Sequence, residues 1–119
     1  MAEDCSGQVA VIFVSERLPD DEAGYAAAAE TMAAMAATQP GYRGVDAVRG
    51  EDRIGITVSY WADDASAVAW RQHPEHAVIR EAGRGRWYRW YALHVATVGR
   101  SYSWSRDEEG SGRDRPLPG

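Results

Sequence analysis

From Ile54 to Trp61 the side chains Ile54, Ile56, Val58 and Tyr60 alternate with Gly55, Thr57, Ser59 and Trp61. A repeat of two is the pattern of a β-strand with two unlike faces, and it argues against a helix here. Ala62-Asp63-Asp64-Ala65 follows at once and offers an acidic helix cap, so strand gives way to helix with almost no loop between.

The other elements can be placed outward from this strand. Tyr42 to Arg49 suits a strand, and Gly50-Glu51-Asp52 is a short turn, so the two strands read as a hairpin. Upstream, Val9 to Val14 is a continuous apolar run between Gly7 and Ser15-Glu16-Arg17, as expected of a strand buried on both faces. Pro19-Asp20-Asp21-Glu22 then opens a helix, its acids complementing the helix dipole. Alanines carry this helix to Thr38, and Tyr25, Ala28, Ala29, Met32, Met35 and Ala36 mark its apolar stripe. Gln39-Pro40-Gly41 ends it, because proline cannot continue the hydrogen-bond ladder.

Downstream, Ala65 to His73 is helical by composition, and Pro74 interrupts it. Proline suits the first position of a helix, which predicts a short second helix from Pro74 to about Glu81. Gly83-Arg84-Gly85-Arg86 reads as a flexible break. From Trp87 to near Arg100 the chain is strand again, with Tyr91, Leu93 and Val95 on one face and Ala92, His94 and Ala96 on the other.

Strand, helix, strand, strand, helix, strand predicts an α+β chain of ferredoxin-like βαββαβ type, a four-stranded antiparallel sheet with both helices on one face. The other face of so apolar a sheet needs cover, and the simplest cover is a second copy across a two-fold axis. A homodimer is therefore expected. The 119 residues suit one domain, over 9–104, after a polar lead at 1–8. The tail 105–119 is rich in glycine, proline and charge and is expected to be disordered.

Charge and residue usage exclude several classes of function. A net charge of -5 leaves no basic face for a phosphate backbone, so nucleic acid is not an expected partner. No apolar run is long enough to span a bilayer, and no secretory signal opens the chain. The lone cysteine, Cys5, has no partner for an intrachain disulfide, which points to a reducing, cytoplasmic setting. All 13 basic residues are arginines, so no lysine is available for Schiff-base chemistry.

Chemistry concentrates in residues 60–91, which hold Trp61, Trp70, Trp87 and Trp90 together with His73 and His76. Trp61, Trp70, Trp87, Tyr60 and Tyr91 could line a cleft for a flat ring. His73, three residues after Trp70, shares its helical face, while His76 on an unbroken helix would point elsewhere. An imidazole titrating near neutrality suits a general base. Two histidines without further ligands make a poor metal site. Arg80, Arg84, Arg86 and Arg89 could hold an oxyanion, or form a solvated loop paired with acids. His94 reads as a structural histidine.

The element order, Tyr60-Trp61, Asp63-Asp64, and Trp70 followed by His73-Pro74-Glu75-His76 together resemble the antibiotic biosynthesis monooxygenase family over roughly Gln8 to Arg100. The resemblance implies a dimeric α+β barrel. It implies one of two activities: oxidation of polycyclic aromatics to quinones by O2 without a cofactor, or degradation of haem serving as both substrate and cofactor. By the same resemblance Trp70 and His76 are the catalytic candidates, with Trp61, Tyr60, His73, Arg80, Trp87 and Tyr91 around a small aromatic substrate. The chain departs from the haem-degrading pattern: it has no asparagine, and Arg80 stands where that pattern places a histidine ten residues beyond Trp70. A third expectation is a small-molecule-binding or stress-related dimer without turnover.

Overall fold

A computed structural model describes residues 5–106. The elements are β1 (Val9–Arg17), α1 (Glu22–Ala37), β2 (Tyr42–Arg49), β3 (Ile54–Trp61), α2 (Asp64–Arg71), α3 (Pro74–Ala82), a π-helical turn (Gly83–Trp87) and β4 (Tyr88–Thr97). The four strands form one antiparallel sheet in the order β2-β3-β1-β4. This is the ferredoxin-like α+β arrangement that the element order predicts. Most of the tail expected to be disordered lies outside the described residues.

β1 sits second from one edge and pairs along its whole length with β3 and β4. That double pairing is why it continues through Ser15, Glu16 and Arg17, past the apolar run: Ser15 lies opposite both Gly55 and Tyr91. Backbone pairing, not side-chain polarity, sets the strand's end.

Register sorts the sheet into two faces. Val9, Val11, Phe13, Ser15 and Arg17 lie beside Trp61, Ser59, Thr57 and Gly55 of β3 and beside Tyr88, Tyr91, Leu93, Val95 and Thr97 of β4. Tyr25 of α1 packs edge-on against Tyr88 and Trp70 of α2 stacks with Trp61, so this is the helix side. The opposite side carries Ala10, Ile12, Val14 and Glu16 with Ile54, Ile56, Val58, Tyr60, Trp90, Ala92, His94 and Ala96.

Asp21 caps α1 from a left-handed conformation (φ 54°), its Oδ1 accepting from the Gly24 N–H at 3.2 Å. Tyr25, Ala28, Met32, Met35 and Ala36 are half-buried, while Ala29, at the margin of the predicted stripe, is exposed. No α1 residue is fully buried, so the helix rests lightly on the sheet. The Gly83–Arg86 stretch differs from expectation. Instead of a flexible break it is the start of the π-helical turn that ends in buried Trp87. Gly83 is itself buried, and a side chain there would run into the Tyr88 ring, so glycine permits the close approach.

The main core is Val9, Trp61 and Ala67, with Val11, Ala36, Tyr42 and Trp70 packed around it. It lies under α2 at the Val9 end of the sheet. At the other end Ser15, Arg17 and Trp87 are buried.

Candidate functional site

The site begins with the wholly buried Trp61 at the end of β3. Its indole Nε1 donates to Ser59 Oγ at 2.9 Å, satisfying the one polar atom that burial would strand. Tyr42, its register partner on β2, meets the indole edge-on at 5.6 Å. Asp63 caps α2, and its Oδ1 accepts from the Ser66 N–H at 2.8 Å. Hydrogen bonds from the Ser66 side chain and backbone hold the Asp63 carboxyl below the usual aspartate range. The cap fixes the helix phase. Ala67 is buried, and Trp70, three residues on, falls on the same side and stacks with Trp61 at 6.2 Å between centroids and 24° between planes.

Gly41 locks α2 against the turn before β2. Its φ is +86°, and a β-carbon there would collide with Ser66 Oγ. Its carbonyl accepts from the Ala62 N–H at 2.7 Å, at the entrance to α2.

Pro74 then reorients the chain. The His73 N–H donates to the Trp70 carbonyl at 3.0 Å, and the His73 ring Nδ1 accepts from the Glu75 N–H at 3.2 Å, making His73 the cap of α3 with Pro74 in its first turn. The break carries His76 back over Trp70. The two rings stack at 4.7 Å and 23°, while His73 leans on the same indole at 5.5 Å and 49°.

His76 Nδ1 lies 3.0 Å from the Trp70 carbonyl oxygen. A carbonyl only accepts, so Nδ1 carries the proton and the neutral ring keeps its Nε2 lone pair free. Burial holds the His76 pKa below the ordinary 6.5, the bond to Trp70 works the other way, and the charges of Arg80, Arg71 and His73 lower it again. At neutral pH this imidazole is uncharged.

The structure thus brings Trp61, Trp70, His73 and His76 together with Arg80 nearby, and places Tyr60, Trp87 and Tyr91 elsewhere. Tyr60, adjacent to Trp61 in a strand, faces the opposite side of the sheet, where burial and then Asp46 push its phenol above the ordinary range. Trp87 is buried at the far end, its Nε1 donating to Asp21 Oδ2 at 3.0 Å and its ring edge-on to Tyr25 at 6.0 Å. Tyr91 lies 5.3 Å from the Phe13 ring, and its hydroxyl accepts from Arg84 Nε at 2.7 Å. Arg80 Nη1 donates to the Arg71 carbonyl at 3.2 Å, near His76.

Arg84 pairs with Glu81 at 2.9 Å and Arg89 with Glu16 at 3.2 Å, the solvated alternative for the arginine-rich loop. His94 is exposed on the open face. Tyr42 and Ser59 belong to the site although sequence reasoning did not select them. The hairpin register, which pairs Tyr42 with Trp61, was the signal available. Among the described residues no group of three His, Cys, Asp or Glu side chains could hold a metal ion, and no helix is long and apolar enough to cross a membrane.

The fold is a one-sheet ferredoxin-like α+β domain in which the Trp70–His76 stack is formed between α2 and α3. The family model described as antibiotic biosynthesis monooxygenase matches residues 8–82, and the chain belongs to that family. Over 91 residues it is 48% identical to the uncharacterized protein YqjZ of Bacillus subtilis (strain 168), covering 76% of this chain and 79% of that one. Its fold is similar to a crystal structure of a variant of SnoaB, a cofactor-independent oxygenase from Streptomyces nogalater. The TM-score is 0.70 at 16% identity, over 81% of this chain and 97% of that one. Rv0793 from Mycobacterium tuberculosis has the same fold, with a TM-score of 0.67 at 19% identity over 76% and 93% of the chains.

Proposed function

We propose that this protein is a cofactor-independent monooxygenase that oxidises a flat, ionisable aromatic to a quinone with O2. The observation that carries the reading is the His76 arrangement: Nδ1 engaged by the Trp70 carbonyl, Nε2 free, the ring stacked on Trp70 and held neutral. Nε2 removes a proton from the substrate. The resulting anion is electron-rich enough to reduce O2, so that a ring methylene and O2 give a carbonyl and water, one oxygen atom going to each product. Trp70 and His73 supply aromatic surface for the ring, and Arg80 adds positive charge near the developing anion. Tyr60, Trp87 and Tyr91 are not part of this proposed site.

The free Cys5 thiol is in keeping with a reducing cytoplasm, and the exposed apolar side chains on the open sheet face with a homodimer. Haem binding is the second reading, favoured by the same free Nε2, since a neutral imidazole fixed through Nδ1 is the form that ligates iron. Arg71 and Arg80 would suit the propionates. The absence of asparagine weighs against haem breakdown of the family's type.

Purified protein is incubated with an anthrone-type substrate under air, and O2 uptake and quinone absorbance are followed. Catalysed uptake of one O2 per quinone is expected, and a rate equal to the blank overturns the oxygenase reading. Titration with haemin in parallel separates the second reading: saturable Soret binding without quinone formation makes the protein a haem binder.

A further inference from the structure

Among the described residues one charged side chain is buried: Arg17, 5% exposed at the end of β1. A buried guanidinium is costly unless its donors are paired. Its face rests on the Tyr25 ring at 3.7 Å and its Nη1 donates to Glu22 Oε1 at 3.0 Å, but Nε and Nη2, both shielded from water, have no partner. Two more arginines stand beside it. Arg53 Nη1 donates to Glu22 Oε2 at 2.9 Å, and the Arg49 guanidinium lies 5.8 Å from the same Tyr25 ring. Neutral groups hold Arg49: the Ser15 and Arg53 carbonyls at 3.3 and 2.6 Å and the Ser15 hydroxyl at 3.1 Å.

Among the described residues these three guanidiniums share one paired carboxylate, in a chain whose 18 acids outnumber its 13 arginines. Two neighbouring acids are engaged elsewhere: Asp21 accepts from the Gly24 N–H and from Trp87 Nε1, and Asp52 Oδ1 accepts from the Ile54 N–H. Glu22 is the first residue of α1, so the helix N-terminus adds its own partial positive charge here. The Glu22 side chain is 57% exposed and that of Arg53 40%, so the point where Arg17 Nη1 and Arg53 Nη1 converge opens to solvent. A carboxylate has two oxygens and here gives one to each arginine. Nη2 sits on the same carbon as Nη1, so Arg17 can serve an anion with more oxygens.

We infer that this corner is a binding site for a phosphate group, free or borne on a small molecule, with Glu22 occupying it in the free protein and swinging out when phosphate enters. Phosphate oxygens take the Nη1 and Nη2 pair of Arg17 and the Nη1 of Arg53 beside the first turn of α1, a combination of planar forks and helix N-terminus that suits phosphate. A carboxylate ligand would only repeat the bonds that Glu22 already makes and leave Nη2 empty. The site is separate from the tryptophan–histidine stack: Arg17 pairs with Tyr88 at one end of the sheet, and Trp61 pairs with Val9 at the other. It does not depend on the oxygenase reading.

Inorganic phosphate is titrated into the isotope-labelled full chain at constant ionic strength, and the arginine Nε–H signals are followed by NMR, the Arg17 signal being protected from exchange by burial. Saturable movement of the Arg17 and Arg53 signals is expected. Glu22→Gln removes the competing charge and should bind phosphate about 10-fold tighter or more. Arg53→Gln, at a side chain outside the core, should bind it about 10-fold weaker or more. Far-UV circular dichroism checks that both variants are folded. No saturable movement in the wild type or in Glu22→Gln overturns the site, as does Glu22→Gln binding no tighter, or Arg53→Gln binding no weaker, than the wild type. Equal movement of the Arg71 and Arg80 signals means unspecific pairing and overturns it too. Acetate binding as tightly as phosphate overturns the choice of ligand. Phenyl phosphate in parallel separates the two sources: tighter binding than inorganic phosphate assigns the site to a phosphorylated molecule, and equal or weaker binding to free phosphate.

Discussion

His76 and Trp70 are joined twice: their rings stack 4.7 Å apart, and the imidazole Nδ1 meets the Trp70 main-chain carbonyl at 3.0 Å. One contact fixes where the ring lies and the other which nitrogen holds the proton. Neither residue can be altered without moving the other's chemistry.

Replacing His76 with Gln keeps a polar side chain of similar reach but removes the base. We expect kcat for quinone formation to fall by about 10²–10⁴-fold with KM little changed, as for loss of a general base. Steady-state O2 uptake on an anthrone-type substrate measures both constants. Unchanged kcat would take His76 out of the mechanism.

The rate of the wild type depends on pH through the same ring. Its pKa lies below 6.5 because of burial, so the base is mainly unprotonated at pH 7 and is lost as acid protonates it. The rate is expected to be flat above neutrality and to fall on the acid side, through a pKa below 6.5. Stability moves the same way: a histidine whose folded pKa is depressed stabilises the fold above pH 6.5, and that contribution is lost as pH falls through the folded pKa. Urea titrations at pH 7.5 and 5 should show a larger loss for the wild type than for His76→Gln. An equal loss would mean that His76 titrates as it does in the unfolded chain.

Trp61 and Trp70 look alike in sequence and should separate by experiment. Trp61 is wholly buried with its indole nitrogen satisfied, so Trp61→Ala is expected to cost about 3–5 kcal/mol of stability. Trp70, half-buried at the surface of that core, should lose less stability on replacement by Ala but both kcat and KM should worsen. Chemical denaturation paired with kinetics tells them apart. A Trp70→Ala enzyme with normal kinetics would reduce Trp70 to packing.

The sheet was legible because its signals are local. The alternation from Ile54 to Trp61 and the proline and glycine stops place β2, β3 and α3 where the structure has them. The site was only half legible. Trp70 could be seen on its helix, but whether His76 pointed away or back depended on the angle at Pro74, which spacing alone does not define. Tyr60, Trp87 and Tyr91 illustrate the converse: strand alternation turns Tyr60 to the face opposite Trp61, while Trp87 and Tyr91 lie at the other end of the sheet. Arg17 gave no sign of burial, for the apolar run ends at Val14. Its place follows from β1 pairing on both edges and from the Tyr25 ring, 3.7 Å below its guanidinium.

Gly41 is the residue through which the hairpin holds the site helix, and it can be tested alone. Its left-handed φ of +86° disfavours any other residue, and Ser66 Oγ occupies the space a methyl group would need. Gly41→Ala is expected to destabilise by more than about 1 kcal/mol. Ser66→Ala removes the colliding hydroxyl but leaves the backbone strain, so the double variant should lose less than the two single losses added together. A double-mutant cycle by urea denaturation reads this coupling directly. Strict additivity would mean that α2 shifts away from the turn at little cost, and that the position of Trp70 over Trp61 does not depend on Gly41.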